Sequence, residues 1–255
     1  MLRDAWRLAT GTLTAIPVRP PAVVDRRRAC AAMVLAPLAV LPLGLAVTCV
    51  VVAGLLLHLP ALVTAVLALG AGVLGNRALH LDGLADTVDG LAASYDRERS
   101  LAVMKSGTSG PAGVVAIVLV IGLQAAGLAS LIALPASWRA AVLAGAAVAL
   151  SRAALVVCCA HGVRAARPDG LGQTFTQTVP RAVAASVWVL GAVGLAGLGA
   201  WAGLPWWRGA LAVLLALAVV LFVVRRTTRR FGGVTGDVFG AGIELALAAI
   251  LVALA

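Results

Sequence analysis

The amino-acid sequence predicts an all-α fold: a polytopic membrane bundle of about seven transmembrane helices with a cytoplasmic N-terminus. Hydrophobic residues make up 62% of the 255 residues, charged residues only 12%, and the mean hydropathy is +1.05. A soluble domain carries about 25% charged residues. The apolar residues also form runs near the roughly 20 residues that cross about 30 Å of hydrocarbon. Because these runs are continuous rather than alternating, they favour helices over a transmembrane barrel.

We predict seven spans within a single membrane-embedded domain that covers residues 1–255. Residues 1–29 lack a continuous apolar core, so we expect no cleavable signal peptide. Prolines 60, 135 and 205 mark turns between spans, since proline ends a helix. The predicted spans are 30–57, 60–79, 112–134, 139–160, 182–203, 209–224 and 238–254. The last two are short, and either has a length that suits a re-entrant segment.

The positive charges indicate the orientation of the bundle. With a cytoplasmic N-terminus, the inner segments are 1–29, 80–111, 161–181 and 225–237. These segments carry 16 of the 20 Lys and Arg residues, whereas the outer turns carry only Arg139 and Arg208. The positive-inside rule predicts this bias. We therefore expect a multi-pass protein of the cell membrane whose active face lies in the cytoplasm.

The charge distribution also excludes some classes of function. The net charge is +10, but the arginines lie in short loops where membrane topology already explains them, so we expect no nucleic acid as a partner. The cysteines lie in or beside apolar runs without metal-binding spacing, which argues against disulfides and zinc. They are Cys30, Cys49, Cys158 and Cys159. The lipid bilayer is the partner that the composition predicts.

The acidic residues indicate where the chemistry lies. None of the ten Asp and Glu residues falls in an outer turn, although topology rules constrain acids only weakly. Asp82, Asp86 and Asp89 are spaced i, i+4 and i+7, so they share one face of a helix. Three carboxylates there repel one another, and a divalent cation removes the conflict. A solvated acidic turn is the alternative, but the concentration of acids in an acid-poor chain favours a metal site.

The donor atoms narrow the choice of metal. Ligand sets made only of oxygen favour Mg²⁺, Mn²⁺ or Ca²⁺ over zinc. Of these, Mg²⁺ characteristically binds one or two carboxylates together with waters and substrate phosphates. We therefore predict a divalent-cation site at Asp82, Asp86 and Asp89.

A glycine-rich loop before the last span is a second candidate. Glycines let backbone N–H groups approach phosphate oxygens, and arginine adds charge-assisted hydrogen bonds. The candidate phosphate-binding residues are Arg230, Gly232, Gly233 and Thr235. Asp237 follows them and is placed to share the cation. A flexible positive-inside loop is the alternative, and such a loop would need neither Thr235 nor Asp237.

Three further polar residues are candidates. Lys105 begins a loop of small residues, which suits either a phosphate contact or a turn before a helix. Arg152 lies inside an apolar span, where an ionisable group usually faces a polar cavity or a partner. His80 lies beside the acids and is a candidate acid, base or ligand.

Taken together, these segments resemble the cobalamin synthase family, also called adenosylcobinamide-GDP ribazoletransferase. The resemblance rests on the motif from His80 to Gly90 and on the motif from Gly232 to Asp237 with Glu244. Shorter matches lie between and before them, at Leu13–Val18, Met104-Lys105, Ser151-Arg152 and Gly170–Gly172. The order and spacing hold from about residue 8 to residue 245.

The chain departs from the family pattern at three places. Arg77-Ala78 stands where the family usually has Gly-Gly. Ser106 replaces an Asp after Met-Lys, and Leu247 replaces a second Glu. These departures concern secondary positions and leave the acidic motif intact.

The resemblance implies a transferase that joins adenosylcobinamide-GDP to α-ribazole or its 5′-phosphate and releases GMP. A ribose hydroxyl attacks the cobinamide-linked phosphorus. We expect Asp82, Asp86 and Asp89 to hold one or two Mg²⁺ ions and Asp237 to complete the site. Phosphate oxygens would then contact Arg152, Lys105 and Arg230, and an Asp or His80 would take the hydroxyl proton.

Two other classes of protein fit the pattern less well. A CDP-alcohol phosphatidyltransferase also uses an aspartate-rich membrane site, but its Ala-Arg after the first Asp-Gly and its further Asp residues are missing here. A transporter would place charged groups near the middle of the bilayer. This chain gathers its acids at one interface, with only Arg152 well inside.

Overall fold

The computed structural model describes residues 1–135 and 137–255. Over these residues the chain forms thirteen α-helices and no β-strand, which confirms the all-α class. The helices are α1 (Leu2–Leu13), α2 (Arg26–Ala39), α3 (Leu41–Leu56), α4 (Ala61–Gly75), α5 (Leu79–Ala93), α6 (Arg97–Lys105), α7 (Pro111–Ile132), α8 (Ser137–Ser151), α9 (Ala154–Cys158), α10 (Leu171–Phe175), α11 (Arg181–Trp201), α12 (Trp206–Phe231) and α13 (Gly236–Leu254).

The number of membrane spans agrees with the prediction. Six segments of the described chain have the length and composition to cross a membrane, and a bent pair of helices makes up to seven. The six are Arg26–Leu56, Pro111–Ile132, Trp138–Cys158, Arg181–Trp201, Trp206–Phe231 and Gly236–Leu254. The bent pair is α4 with α5. The prediction of about seven apolar helices is therefore confirmed.

The position of the broken span corrects the prediction. The shortness of the last two predicted spans allowed one of them to be re-entrant, but α12 and α13 are unbroken helices of 26 and 19 residues. The break falls in the second span instead, where α4 and α5 meet at 89°. Arg77 and Ala78 form the corner with φ of 59° and 56°. Hydropathy does not detect this turn, because it depends on backbone conformation.

The sixth span is longer than the apolar run that predicts it. We placed its end at residue 224, whereas α12 continues to Phe231 and includes four arginines in its last two turns. Arginine is a good helix former, so the charges end the apolar run without ending the helix. Gly232 then stops α12 with φ of 78°, a conformation that glycine adopts readily.

The acidic motif is carried by α5, which packs against α6, α7 and α13. Two glycines permit the close crossing of α5 and α13. A Cβ on Gly83 would lie 2.6 Å from the carbonyl oxygen of Asp237, and one on Gly240 would lie 2.9 Å from the carbonyl oxygen of His80. The two motifs that are most distant in sequence therefore meet backbone to backbone.

The segment between α9 and α11 covers the start of α13. Short backbone pairings hold it in place: Ala166 N–H donates to the carbonyl of Val234 at 2.9 Å, and Val234 N–H donates to that of Arg164 at 2.9 Å. This segment contains α10 and lines one side of the candidate active site.

Candidate active site

The three acids of α5 lie on one helix, as predicted, but their environments differ. Asp82 is exposed, Asp86 is half-buried, and Asp89 is only 6% exposed. The negative charges of Asp82, Asp89 and Asp237 all act on Asp86. The spacing in the sequence thus corresponds to a real cluster of negative charge.

Asp89 binds the start of the neighbouring helix α7. Its two carboxylate oxygens accept hydrogen bonds from Gly110 N–H at 2.6 Å and Gly113 N–H at 2.8 Å. A carboxylate is favourable there, because the first amides of a helix lack partners and carry partial positive charge. One lone pair remains on each oxygen, so the role of Asp89 as a metal ligand stays a prediction.

The glycine-rich loop delivers Asp237 to the same place. The Oγ1 of Thr235 donates to Oδ2 of Asp237 at 3.0 Å and accepts from Val238 N–H at 3.4 Å. Thr235 therefore caps α13 and orients the carboxylate in its first turn. Together with the close approach of Gly83, this contact brings Asp237 beside Asp82.

A cavity of about 200 Å³ opens between these two acids. Its rim is polar and includes His80, Asp82, Arg167, Asp169, Thr235 and Asp237. Six of its other lining residues are apolar and buried: Leu13, Met33, Leu155, Phe175, Phe239 and Ile243. We refer to these two groups as the acidic rim and the apolar wall. The cavity joins residues from both ends of the chain.

The cation at the rim is Arg167, which was not among the predicted site residues. It lines the cavity, and its positive charge acts on Asp86 and Asp237. One guanidinium nitrogen donates to the carbonyl of Leu101 at 3.0 Å, which holds the side chain in place. The nearby Gly170–Gly172 match to the family was the signal that could have identified it.

Lys105, Arg152 and Arg230 are not among the described residues that line the cavity. Lys105 lies next to the rim, because its Nζ donates to Oδ2 of Asp169 at 2.8 Å. This hydrogen bond and the ammonium charge lower the pKa of Asp169. Lys105 is exposed and free to turn toward a bound phosphate.

Arg230 has contacts of its own at the end of α5. Its guanidinium donates to the carbonyl of Ser94 and lies 4.4 Å from the ring centre of Tyr95. It thus stabilises the C-terminal end of α5, where a cation is favourable. Gly233 lies against the backbone carbonyl of Arg164, and Gly232 ends α12. These positions shape the loop, and the phosphate contacts of Arg230, Gly232 and Gly233 stay predictions.

Arg152 belongs to a buried polar cluster deeper in the bundle. It is 2% exposed, and one of its nitrogens donates to the carbonyl of Val148 at 2.7 Å and to Ser151 Oγ at 3.0 Å. With Asn76, Gln124 and Glu244 it lines a second, smaller cavity. The prediction of a buried role fits this placement, whereas a direct phosphate contact does not fit it.

His80 links the buried cluster to the main cavity. Its Nδ1 lies 3.3 Å from the amide nitrogen of Asn76 and 3.7 Å from Oε1 of Glu244. Glu244 also accepts from Nε2 of Gln124 at 2.9 Å. Neither Asn76 nor Gln124 was among the predicted site residues, although an amide inside the apolar run 112–134 was a visible signal.

Two carboxylates of the site form a donor set that suits a magnesium ion. Among the described residues, no group of three or more His, Cys, Asp or Glu side chains is arranged to hold a metal by itself. Mg²⁺ does not require such a cage, since it binds one or two carboxylates and takes its other ligands from water and phosphate. Asp82 and Asp237 supply two carboxylates at one cavity. The donor set is therefore suitable for Mg²⁺ when a phosphate-bearing substrate is present.

Comparison with known proteins gives the family. Residues 5–255 match the cobalamin-5-phosphate synthase family. An adenosylcobinamide-GDP ribazoletransferase from a Nocardioides species is 58% identical over 99% of this chain and 98% of its own length. Enzymes of the same name are 37% identical in Frankia casuarinae, over 98% of this chain and 93% of the relative, and 38% identical in Pseudomonas aeruginosa, over the full length of both. No solved structure gives a significant match.

The extent of these matches agrees with the geometry. They cover the acidic helix, the glycine-rich loop and every wall of the cavity, so the likeness is not confined to the membrane spans. The chain therefore belongs to the cobalamin-5-phosphate synthase family.

Proposed function

We propose that this protein transfers the cobinamide-linked phosphoryl group of adenosylcobinamide-GDP to a ribose hydroxyl of α-ribazole or α-ribazole 5′-phosphate. The products are adenosylcobalamin or its 5′-phosphate and GMP. One observation carries the proposal: Asp82 and Asp237, from the two most specific motifs of the chain, line one cavity together with Arg167. Relatives that match this chain over 99% and 98% of its length are named for the same reaction.

The reaction needs charge neutralisation and positioning more than covalent chemistry by the protein. The bond between the cobinamide-linked phosphorus and the GMP oxygen breaks, and its electron pair leaves with GMP. The ribose oxygen forms the new bond to phosphorus. Its proton passes to a carboxylate of the acidic rim or to His80, the two kinds of base within reach of the cavity.

We propose that Asp82, Asp86 and Asp237 hold Mg²⁺, with Asp89 contributing through the lone pairs that α7 leaves free. Bound there, Mg²⁺ would neutralise the negative charge of the diphosphate. Thr235 holds the carboxylate of Asp237 toward the cavity. Arg167 adds positive charge at the rim. Lys105 is the neighbouring cation, and its Nζ would leave Asp169 to contact an incoming phosphate.

We also propose that the acidic rim faces the cytoplasm of a cell-membrane protein that folds as one domain. The cytoplasmic orientation is supported by the 16 Lys and Arg residues of the inner segments. The donor carries a diphosphate and a corrin ring, so it does not cross a bilayer freely.

Product formation by the purified, detergent-solubilised protein tests the proposal. Given adenosylcobinamide-GDP, α-ribazole 5′-phosphate and Mg²⁺, it should release GMP and form the corrinoid product. EDTA and Asp82→Ala should each abolish GMP release. Glu98→Gln should retain it, because Glu98 is an exposed acid of α6 outside the cavity.

Three other outcomes would count against the proposal. Release of CMP from a CDP-linked lipid would indicate a phosphatidyltransferase. Solute uptake into proteoliposomes without product formation would indicate a transporter. Well-folded protein that releases no GMP from the cobinamide donor would contradict the proposed reaction itself.

A further inference from the structure

The main cavity has a chemical asymmetry that the transfer of a phosphoryl group does not require. The acidic rim supplies every charged residue of the cavity, whereas the apolar wall contains only aliphatic, aromatic and thioether side chains. All six wall residues are buried, with exposures between 0% and 6%. They come from α1, α2, α9, α10 and α13, so five helices converge to form one apolar surface.

We infer that the apolar wall binds the flat bicyclic base of the acceptor nucleoside, α-ribazole, and thereby directs its ribose to the acidic rim. This inference rests on the proposed function and names the part of the site that selects the acceptor. The wall residues concerned are Leu13, Met33, Leu155, Phe175, Phe239 and Ile243.

The size of the cavity excludes the corrinoid from this position. A cavity of about 200 Å³ is smaller than the roughly 300–1,000 Å³ of pockets that enclose drug-sized ligands. A corrin ring with its side chains is larger than such ligands, so it must remain outside, at the cytoplasmic mouth. A single bicyclic base has the dimensions of a fragment that fits.

The apolar wall suits the acceptor base better than guanine, the other base in the reaction. The edge of guanine carries a carbonyl, a ring N–H and an amino group, and each needs a partner when it leaves water. The six wall residues have no polar side chain to pair with them, and the polar side chains that line the cavity, Thr12 included, lie outside this group. The benzo edge of 5,6-dimethylbenzimidazole, the base of α-ribazole, carries two methyl groups and no hydrogen-bonding group. Burying that edge is favourable.

His80 supplies the one polar contact that the acceptor base needs. It lines the cavity, is 3% exposed, and its Nε2 has no hydrogen-bond partner among the described residues. Its Nδ1 lies 3.3 Å from the amide nitrogen of Asn76 and 3.7 Å from Oε1 of Glu244. In the tautomer that we assign, Nδ1 accepts from Asn76, which leaves the hydrogen on Nε2. The benzimidazole of α-ribazole has a single free ring nitrogen, which is an acceptor. A hydrogen bond from Nε2 to this nitrogen makes His80 a base-recognition residue. The proton of the attacking ribose hydroxyl then passes to a carboxylate of the acidic rim.

Direct binding of α-ribazole to the purified protein, without donor and without metal, tests this inference. The intrinsic fluorescence of the benzimidazole reports the bound fraction. Ile243→Ala should weaken binding by about tenfold or more, because it removes contacts with the buried base. Ile250→Ala is the matched control: it lies on the same helix and is fully buried, but it does not line the cavity. It should change the dissociation constant by less than about twofold.

Competition on the unmodified protein provides a second test that no folding defect can obscure. Excess 5,6-dimethylbenzimidazole should displace α-ribazole, whereas guanosine at the same concentration should not. Displacement by guanosine, or equal weakening by Ile243→Ala and Ile250→Ala, would overturn the inference.

The two proposals fail in different ways. If GMP is released normally but Ile243→Ala does not change the dissociation constant of α-ribazole, the transfer reaction stands and the base is bound elsewhere. If α-ribazole binds as described but no GMP is released from the cobinamide donor, the nucleoside site stands and the proposed reaction is wrong.

Discussion

Asp82 and Asp89 are two turns apart on α5, and their contacts indicate that Asp89 has a structural role that Asp82 lacks. Asp82 is exposed at the cavity and its carboxylate makes no hydrogen bond to another described residue, whereas the carboxylate of Asp89 accepts two backbone amides from the start of α7. The sequence showed that the acids share a helical face. It did not show which of them α7 would engage, because that depends on the packing of a segment about twenty residues away.

The first prediction follows from this difference. Asp89→Asn should lower the free energy of unfolding by about 1–3 kcal/mol, since an amide has one acceptor oxygen and leaves a buried N–H without a partner. Asp82→Asn should leave stability within about 0.5 kcal/mol of the unmodified protein. Thermal unfolding in one detergent measures both. A larger loss for Asp82→Asn than for Asp89→Asn would show that the two roles are reversed.

The corner between α4 and α5 gives a second prediction at this scale. Ala78 has φ of 56°, where a side chain is strained and glycine is not. Ala78→Gly should therefore stabilise the protein by about 0.5–1 kcal/mol. Ala71→Gly, inside α4, is the matched control and should destabilise it by a similar amount.

The corner at Arg77-Ala78 is also one of the places where the chain departs from the family pattern. The family usually has Gly-Gly where this chain has Arg77-Ala78, and both residues adopt the left-handed conformation that glycine favours. If Ala78→Gly lowers the midpoint of thermal unfolding, Ala78 does not have the left-handed conformation in the folded protein.

At the scale of elements, the long apolar runs predicted the spans because they depend on local composition alone. Hydropathy did not predict the corner at Arg77-Ala78, which depends on backbone conformation. It also did not predict the arginine-rich end of α12, because arginine ends an apolar run without ending a helix. Asn76, a polar residue at the end of an apolar run, was the local sign that the second span stops early.

The crossing of α5 and α13 carries the third prediction. Gly83→Ala would place a methyl group 2.6 Å from the carbonyl oxygen of Asp237 and force the two helices apart. We expect a loss of about 1–3 kcal/mol in stability and a larger loss of GMP release, because Asp237 would move away from Asp82. Gly122→Ala, which meets open space on α7, should leave GMP release unchanged. Equal GMP release by the Gly83 and Gly122 variants would contradict the close crossing.

At the scale of the whole molecule, the charges of the inner segments predict a single orientation in the membrane. The fourth prediction is that a cysteine introduced at Ser106 reacts with a membrane-impermeant thiol reagent only from the cytoplasmic side. One introduced at His58, in the turn between α3 and α4, should react only from the outside. A background without the four native cysteines removes competing signals. The opposite labelling pattern would invert the bundle and move the acidic rim to the wrong compartment.

The site could be predicted from the sequence to the extent that it consists of local motifs. The acidic helix and the glycine-rich loop were visible as patterns, and their residues Asp82 and Asp237 do meet at one cavity. The apolar wall was not visible, and Arg167 was missed although it lies near the Gly170–Gly172 match. The wall consists of ordinary hydrophobic residues from five helices, and only the packing of those helices distinguishes them from the rest of the core.

The central structural claim is that acids from α5 and α13 form one cation site. Titration of Mn²⁺ in the presence of GDP, followed by the loss of the free-ion EPR signal, tests it most directly. Asp82→Asn and Asp237→Asn should each weaken Mn²⁺ binding by about tenfold or more, and the double variant should lose less than the two single losses combined. Glu98→Gln should bind as the unmodified protein does. Single variants that retain full affinity, or losses that simply add, would contradict a shared site.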